Sequence, residues 1–155
     1  MRTTIFGGLS AVSIMVASAS AMAAEPKHDH PHPRAEVEHF PRPGKPFSSA
    51  IRIGSNVYIS GVIGTAADGS MPTDFVTQAA NTMDAVASKM KLAGATMDDV
   101  YKCTIALTNM DDWDAFNSVY VKYFKPDHFP VRMSFATPSL GGAAVEVQCE
   151  AHLSS

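Results

Sequence analysis

The chain has 155 residues, of which 46% are hydrophobic and only 17% charged, with two cysteines and a formal net charge of −3. This length suits one domain, the slight acidity gives nucleic acid no electrostatic footprint, and two cysteines exclude a disulfide-dense scaffold or a four-cysteine zinc site. Ordinary soluble chains are ~25% charged, so either part of this one is not in water or part of its surface is covered.

Met1 and Arg2 give a positive start, residues 5–21 carry no charge, and Ala21-Met22-Ala23 ends the run with a small-x-small pattern. This is the layout of a secretory signal peptide over residues 1–23. Gly7, Gly8 and several serines make the same run a poor membrane span. The expectation is a mature chain from Ala24, secreted and periplasmic, with no stable membrane insertion. Without the signal the charged fraction rises only to about 20%, so the deficit persists.

Residues 25–46 hold six of the ten prolines and four of the six histidines: His28, His30, His32 and His39. That proline density predicts a flexible Pro/His-rich tail over residues 24–46, extended and without ladder pairing. The histidines are of a type that binds Zn²⁺ or Cu²⁺, but no folded frame holds them, so the tail reads as a solvated linker. The remaining segment, 47–155, is the globular domain and is only about 16% charged. A small domain with so few charges points to an oligomer that buries surface between subunits.

Within this domain, residues 51–53 and 57–59 are short β-rich runs around the turn signal Gly54-Ser55-Asn56. Thr73 or Asp74 then caps a helix that reaches about residue 93. Phe75, Ala79, Met83, Val86, Ala87 and Met90 form its apolar stripe, and Gly94 stops it. A strand follows over 100–107. Asp111 or Asp112 caps a second helix with Trp113, Phe116, Tyr120 and Tyr123 or Phe124 inward, ended by Pro126. Strands over 131–136 and 144–153 close the chain. The order β-β-α-β-α-β-β predicts an α+β fold, a mixed sheet with two helices on one face. The other face must be polar or buried against a partner. Cys103 and Cys149 both fall in strands. Two buried free thiols are expected, although their Cα separation, which decides pairing, is open.

The last two strands alternate. Arg132, Ser134 and Ala136 share one face of the first, and Glu146, Gln148, Glu150 and His152 share one face of the second. We therefore expect the uncovered sheet face to carry the polar side chains. From residue 46 onward arginine occurs only at 52 and 132 and glutamate only at 146 and 150. The fork of Arg132 suits a carboxylate. A facing glutamate has two uses, as a cross-strand ion-pair partner or as an acid or base beside a bound ligand.

Four stretches then carry a resemblance: KPFSSAIRIGSNVYISG from Lys45, AGATMDDVYKCTIALTNMDDWDAFNSVYVKYF from Ala93, PVRMSF from Pro130 and VEVQCEA from Val145. In order and spacing the chain resembles the Rid (YjgF/YER057c/UK114) family of enamine/imine deaminases. The resemblance implies a chorismate-mutase-like domain that forms a homotrimer with ligand pockets between subunits. It implies that Arg132 clamps a substrate carboxylate and that Glu146 positions or activates water. It places Phe47, Ser60, Gly61, Asn117 and Ser134 at the pocket, with no metal and no cofactor. Phe47 stands where many members have Tyr, and Ser49 and Val62 where many have Gln, which implies a less polar pocket. The implied reaction is hydrolysis of a reactive imine to a 2-keto acid and ammonia. The alternative is a non-catalytic module for small carboxylates, which needs Arg132 but not Glu146, with metal binding by the His-rich tail.

Overall fold

Gly54, at φ +58, lets the chain reverse within two residues, so β2 (Ser48–Ile53) and β3 (Asn56–Ile59) pair as a hairpin with Ile53 opposite Asn56. The computed structural model describes residues 35–154, so the expected signal peptide and His28, His30 and His32 lie outside the described residues. Added to the hairpin are β1 (Val37–Pro41), β4 (Val62–Ile63), β5 (Val100–Leu107), β6 (Val131–Ala136) and β7 (Val145–His152). They form one sheet in the order β1-β2-β3-β7-β5-β6, with β4 also on β7. Only β5 and β6 run parallel.

Two helices supply the core. In α1 (Phe75–Leu92) Asp74 is the cap that the structure selects, its carboxylate accepting from the Thr77 amide at 2.8 Å. Ala79, Met83, Val86 and Met90 bury the expected stripe, and Gly94 takes the left-handed turn that ends it. The second helix is shorter than expected: α2 spans Trp113–Tyr120 and tightens into a 3-10 turn at Val121–Tyr123. Its Phe116, Val119 and Tyr120 face inward against α1 and the sheet. Each fully buried side chain of this size contributes about 1.5–3 kcal/mol. The result is the expected α+β fold.

Three expectations are corrected. First, the tail is not free of ladder pairing, because Val37–Pro41 pairs antiparallel with Ser48–Ile53. Proline is absent from 34–40, which leaves a clean run for an edge strand, and the register breaks at Pro41. The folded body therefore includes residues 37–46. Second, Cys103 and Cys149 are not free thiols. The β5–β7 register sets them directly opposite, with Cα atoms 4.1 Å apart, and they form a disulfide.

The third correction concerns Arg132. β6 pairs with β5 so that Arg132 stands beside Cys103, Ser134 beside Ile105 and Ala136 beside Leu107. Cys103, Ile105 and Leu107 are buried on the helix side, so Arg132 and Ser134 lie on that side too. Val131, Met133 and Phe135 join Glu146, Gln148 and Glu150 on the open face, and are 68%, 60% and 45% exposed. The open face thus carries an apolar stripe at its edge, where no helix of the same chain reaches.

Candidate active site

Glu146 and Arg132 each sit in a built setting, but on opposite sides of one sheet. Glu146 projects from β7 toward Gly61, which lies between β3 and β4. A side chain at Gly61 would overlap the Glu146 carboxylate at Oε1, so only glycine lets the acid occupy this place. Glu146 borders two hollows. One, of about 260 Å³ on the open face, is shared with Thr104, Phe135 and Gln148. The other, of about 460 Å³, is shared with Phe47, Arg42, Lys45 and Lys89.

The strand that carries Glu146 is tied to α1 by Gln78, a residue the sequence reading passed over. Gln78 is buried, its Oε1 accepts from the Ala144 amide and from the Val145 amide at 3.3 Å, and its Nε2 donates to the Pro72 carbonyl at 3.1 Å. These bonds fix the entry to β7 one residue before Glu146. Gly64 permits this closeness, since any Cβ there would overlap the Gln78 carbonyl and the Thr82 amide.

On the other side Arg132 is held by α2. Its Nη1 donates to Asn117 Oδ1 at 2.7 Å. The guanidinium lies 4.5 Å from the Trp113 ring centre and 5.0 Å from that of Tyr120. A guanidinium has five N–H donors, so one bond to Asn117 leaves an edge for a carboxylate. Tyr120, Phe129 and Pro130 line a groove of about 280 Å³ at this edge. Trp113 and Tyr120 were legible only as core; the structure gives them this second use.

The predicted site residues divide between the two settings. Phe47, Gly61 and Glu146 make one half, and Asn117, Arg132 and Ser134 the other. Ser60 joins neither: its hydroxyl donates to the Ser48 carbonyl at 2.6 Å and borders a separate cleft with His39 and Tyr58. Arg42, Lys45 and Lys89 were missed. The first two were hidden in the proline-rich stretch, and the third sits beside the Met90 stripe of α1. Among the described residues no cluster of three His, Cys, Asp or Glu side chains is placed to hold a metal, and no helix is long and apolar enough to cross a membrane.

Charge environments near both halves are uneven. Burial pushes the Lys89 ammonium below the usual lysine range, Arg42 adds to that, and Glu146 opposes it. Lys102 donates to Glu150 at 2.9 Å and holds that carboxyl below its usual range. The hydrogen bond from Tyr101 to Glu150 pushes this phenol up to about 12. Burial pushes Tyr120 up to about 12, against the pull of Arg132. Unfolded phenols ionise near pH 10, so the folded state holds both protons more tightly. Their contribution to stability is complete below about pH 10 and is lost as the pH rises toward about 12. The melting temperature should fall over that window, and fall less in Tyr120→Phe; a flat profile would contradict these environments.

A mixed sheet backed by two helices is an architecture shared with known proteins. A family model described as Endoribonuclease L-PSP matches residues 37–153. A 2-iminobutanoate/2-iminopropanoate deaminase of Dermatophagoides farinae is 35% identical over 114 residues, which cover 70% of this chain and 86% of that one. A RutC family protein of Sulfurisphaera tokodaii is 33% identical over 99 residues, 63% of this chain and 78% of its own. The solved structure of YyfA, a Rid family protein of Yersinia pestis, superposes with a TM-score of 0.70 at 28% identity, over 76% of this chain and 100% of that one. The chain belongs to the Endoribonuclease L-PSP family, the same Rid/YjgF/UK114 family that the sequence resembles.

Proposed function

We propose that the protein hydrolyses imines of 2-amino acids to 2-keto acids and ammonia, in a site completed by a second copy of the chain. The observation that carries this reading is the division of the site: Arg132 with Asn117 faces one side of the sheet and Glu146 on Gly61 faces the other. Deaminase relatives at about this level of identity support the chemistry. The exposed Val131, Met133 and Phe135 supply an apolar surface for a symmetric assembly, which we take to be a homotrimer.

In the reaction the substrate carboxylate binds the free edge of Arg132, which holds the imine carbon beside Glu146 of the neighbouring copy. Water attacks that carbon, its proton passing to Glu146, and the C=N bond becomes a C–N single bond. Glu146 returns the proton to the nitrogen to give the amino alcohol; the hydroxyl proton then passes through Glu146 to that nitrogen as the C–N bond breaks, so the carbonyl forms and ammonia leaves. One water is consumed and one ammonia released, so the reaction balances without a redox partner.

Residues 1–23 would direct the chain out of the cytoplasm, and the Cys103–Cys149 disulfide favours the same oxidising setting. RNA is a poor fit for a chain of net charge −3. The test generates imines from several amino acids with an amino-acid oxidase and follows keto-acid release. The wild-type protein should accelerate release, and Arg132→Ala should lower kcat/KM at least ~100-fold, the scale of a lost carboxylate clamp. If the folded protein accelerates no imine yet binds a keto acid equally well as wild type and Glu146→Gln, it is a carboxylate-binding module instead.

A further inference from the structure

Beside Glu146 the larger cleft gathers three cationic side chains from two separate elements. Arg42 and Lys45 come from the connection between β1 and β2, and Lys89 from the last turns of α1. Among the described residues Glu146 is the only acidic side chain in the wall. The ion pairs formed among the described residues use none of the three cations. The Lys89 Nζ is shut from solvent and has no hydrogen-bond partner among the described residues. An ammonium in that state is costly unless an anion completes it. Arg42 is not loose either, since its guanidinium is held 5.6 Å from the centre of the Phe47 ring. Three positive charges facing one negative charge thus leave the cleft with a cationic excess at the wall that holds the proton-transfer group.

We propose that Arg42, Lys45 and Lys89 form a second oxyanion subsite that selects imines whose own side chain carries a carboxylate, the imines of acidic amino acids. This rests on the imine-hydrolase reading above and deepens it. The division of labour follows from charge. Arg132 of one copy takes the carboxylate next to the imine carbon, and the cationic cluster takes the distal carboxylate on the far side of Glu146. A cleft of about 460 Å³ beside Glu146 has room for a chain of four or five carbons that ends at the cationic cluster. Phe47 then acts by holding Arg42 over its ring rather than by contacting the reacting atoms. An untethered oxyanion such as phosphate shares the chemistry of the distal carboxylate, so the test must separate the two.

Calorimetry on the full mature protein supplies the test, with three probes: 2-oxoglutarate, 2-oxobutanoate and inorganic phosphate. We expect 2-oxoglutarate to bind at least ~10-fold more tightly than 2-oxobutanoate, as suits charge-assisted contacts in a partly desolvated cleft. In Lys89→Met, which keeps the length and packing of the side chain, that ratio should fall toward one. Arg42→Gln, at a more open position, should lower it too and serves if Lys89→Met does not fold. Equal affinities in the wild type, or a preference that survives both variants, overturn the subsite. Phosphate binding that depends on Lys89 while 2-oxoglutarate shows no advantage also overturns it, in favour of a free-anion site. Hydrolysis of an aliphatic imine is read separately. Its absence with the dicarboxylate preference intact removes the catalytic reading alone, and its presence without the preference removes the subsite alone.

Discussion

Arg132→Ala chains and Glu146→Gln chains, each inactive as pure assemblies, should regain imine hydrolysis when unfolded together and refolded as mixed oligomers. The reason lies in strand parity. Arg132 stands beside Cys103 on the helix side, and Glu146 stands opposite Ala106 on the other, so one chain cannot close both groups on one small molecule. In the cyclic assembly proposed above, each site would take the arginine half from one copy and the glutamate half from the next. With equal random mixing, about one site in four combines two intact halves, so activity should return to roughly a quarter of the wild-type value. Mass spectrometry verifies that mixed oligomers form. If they form and stay as inactive as their parents, the two halves do not meet between copies. Gly61→Ala tests the same geometry from the other side, because its methyl would push the carboxylate off its seat; mixed with Arg132→Ala chains it should rescue as Glu146→Gln does, and mixed with Glu146→Gln chains it should not.

The second large effect concerns stability. The Cys103–Cys149 bond closes a loop spanning 46 positions that contains all of α2 and β6. A cross-link of that span removes about 4 kcal/mol of disorder from the unfolded chain in the loop-closure picture. Against a total of about 5–15 kcal/mol for a typical domain, this is a large share. The Cys103→Ala, Cys149→Ala double variant should unfold at a clearly lower urea concentration with a similar slope. Wild type refolded in reductant should shift toward the same midpoint. A difference below ~1 kcal/mol between oxidised wild type and the double variant would mean that the bond contributes little in solution.

Much of the architecture was legible from periodicity and punctuation. Asp74, the Met83–Val86–Met90 stripe and Gly94 bracket α1, and the alternation in β7 assigns Val145, Val147 and Cys149 to the core. The candidate pair Arg132 and Glu146 was also visible, because arginine and glutamate are so scarce in the globular part. What alternation cannot say is which of a strand's two faces meets the helices. In β6 the apolar set was the natural choice for the inside. Yet the strand lies at the sheet edge, where Arg132 turns toward Asn117, Trp113 and Tyr120 of α2, and its apolar set faces out. The same limit hid the disulfide, since two inward cysteines become partners only once β5 and β7 are neighbours in register. β1 escaped notice for a different reason: its proline-free run is short, and its pairing partner begins after three more prolines.

One helix spans the whole neighbourhood of Glu146. Near its start Gln78 grips the amides that lead into β7, and near its end Lys89 enters the cationic cleft. The two residues are about 16 Å apart along a continuous helix, which behaves as a stiff rod on that scale. A rocking of α1 therefore carries the strand entrance and the lysine together. The spacing between acid and cation is set by a strut rather than by loops, and thermal motion that tilts the strut leaves that spacing largely intact.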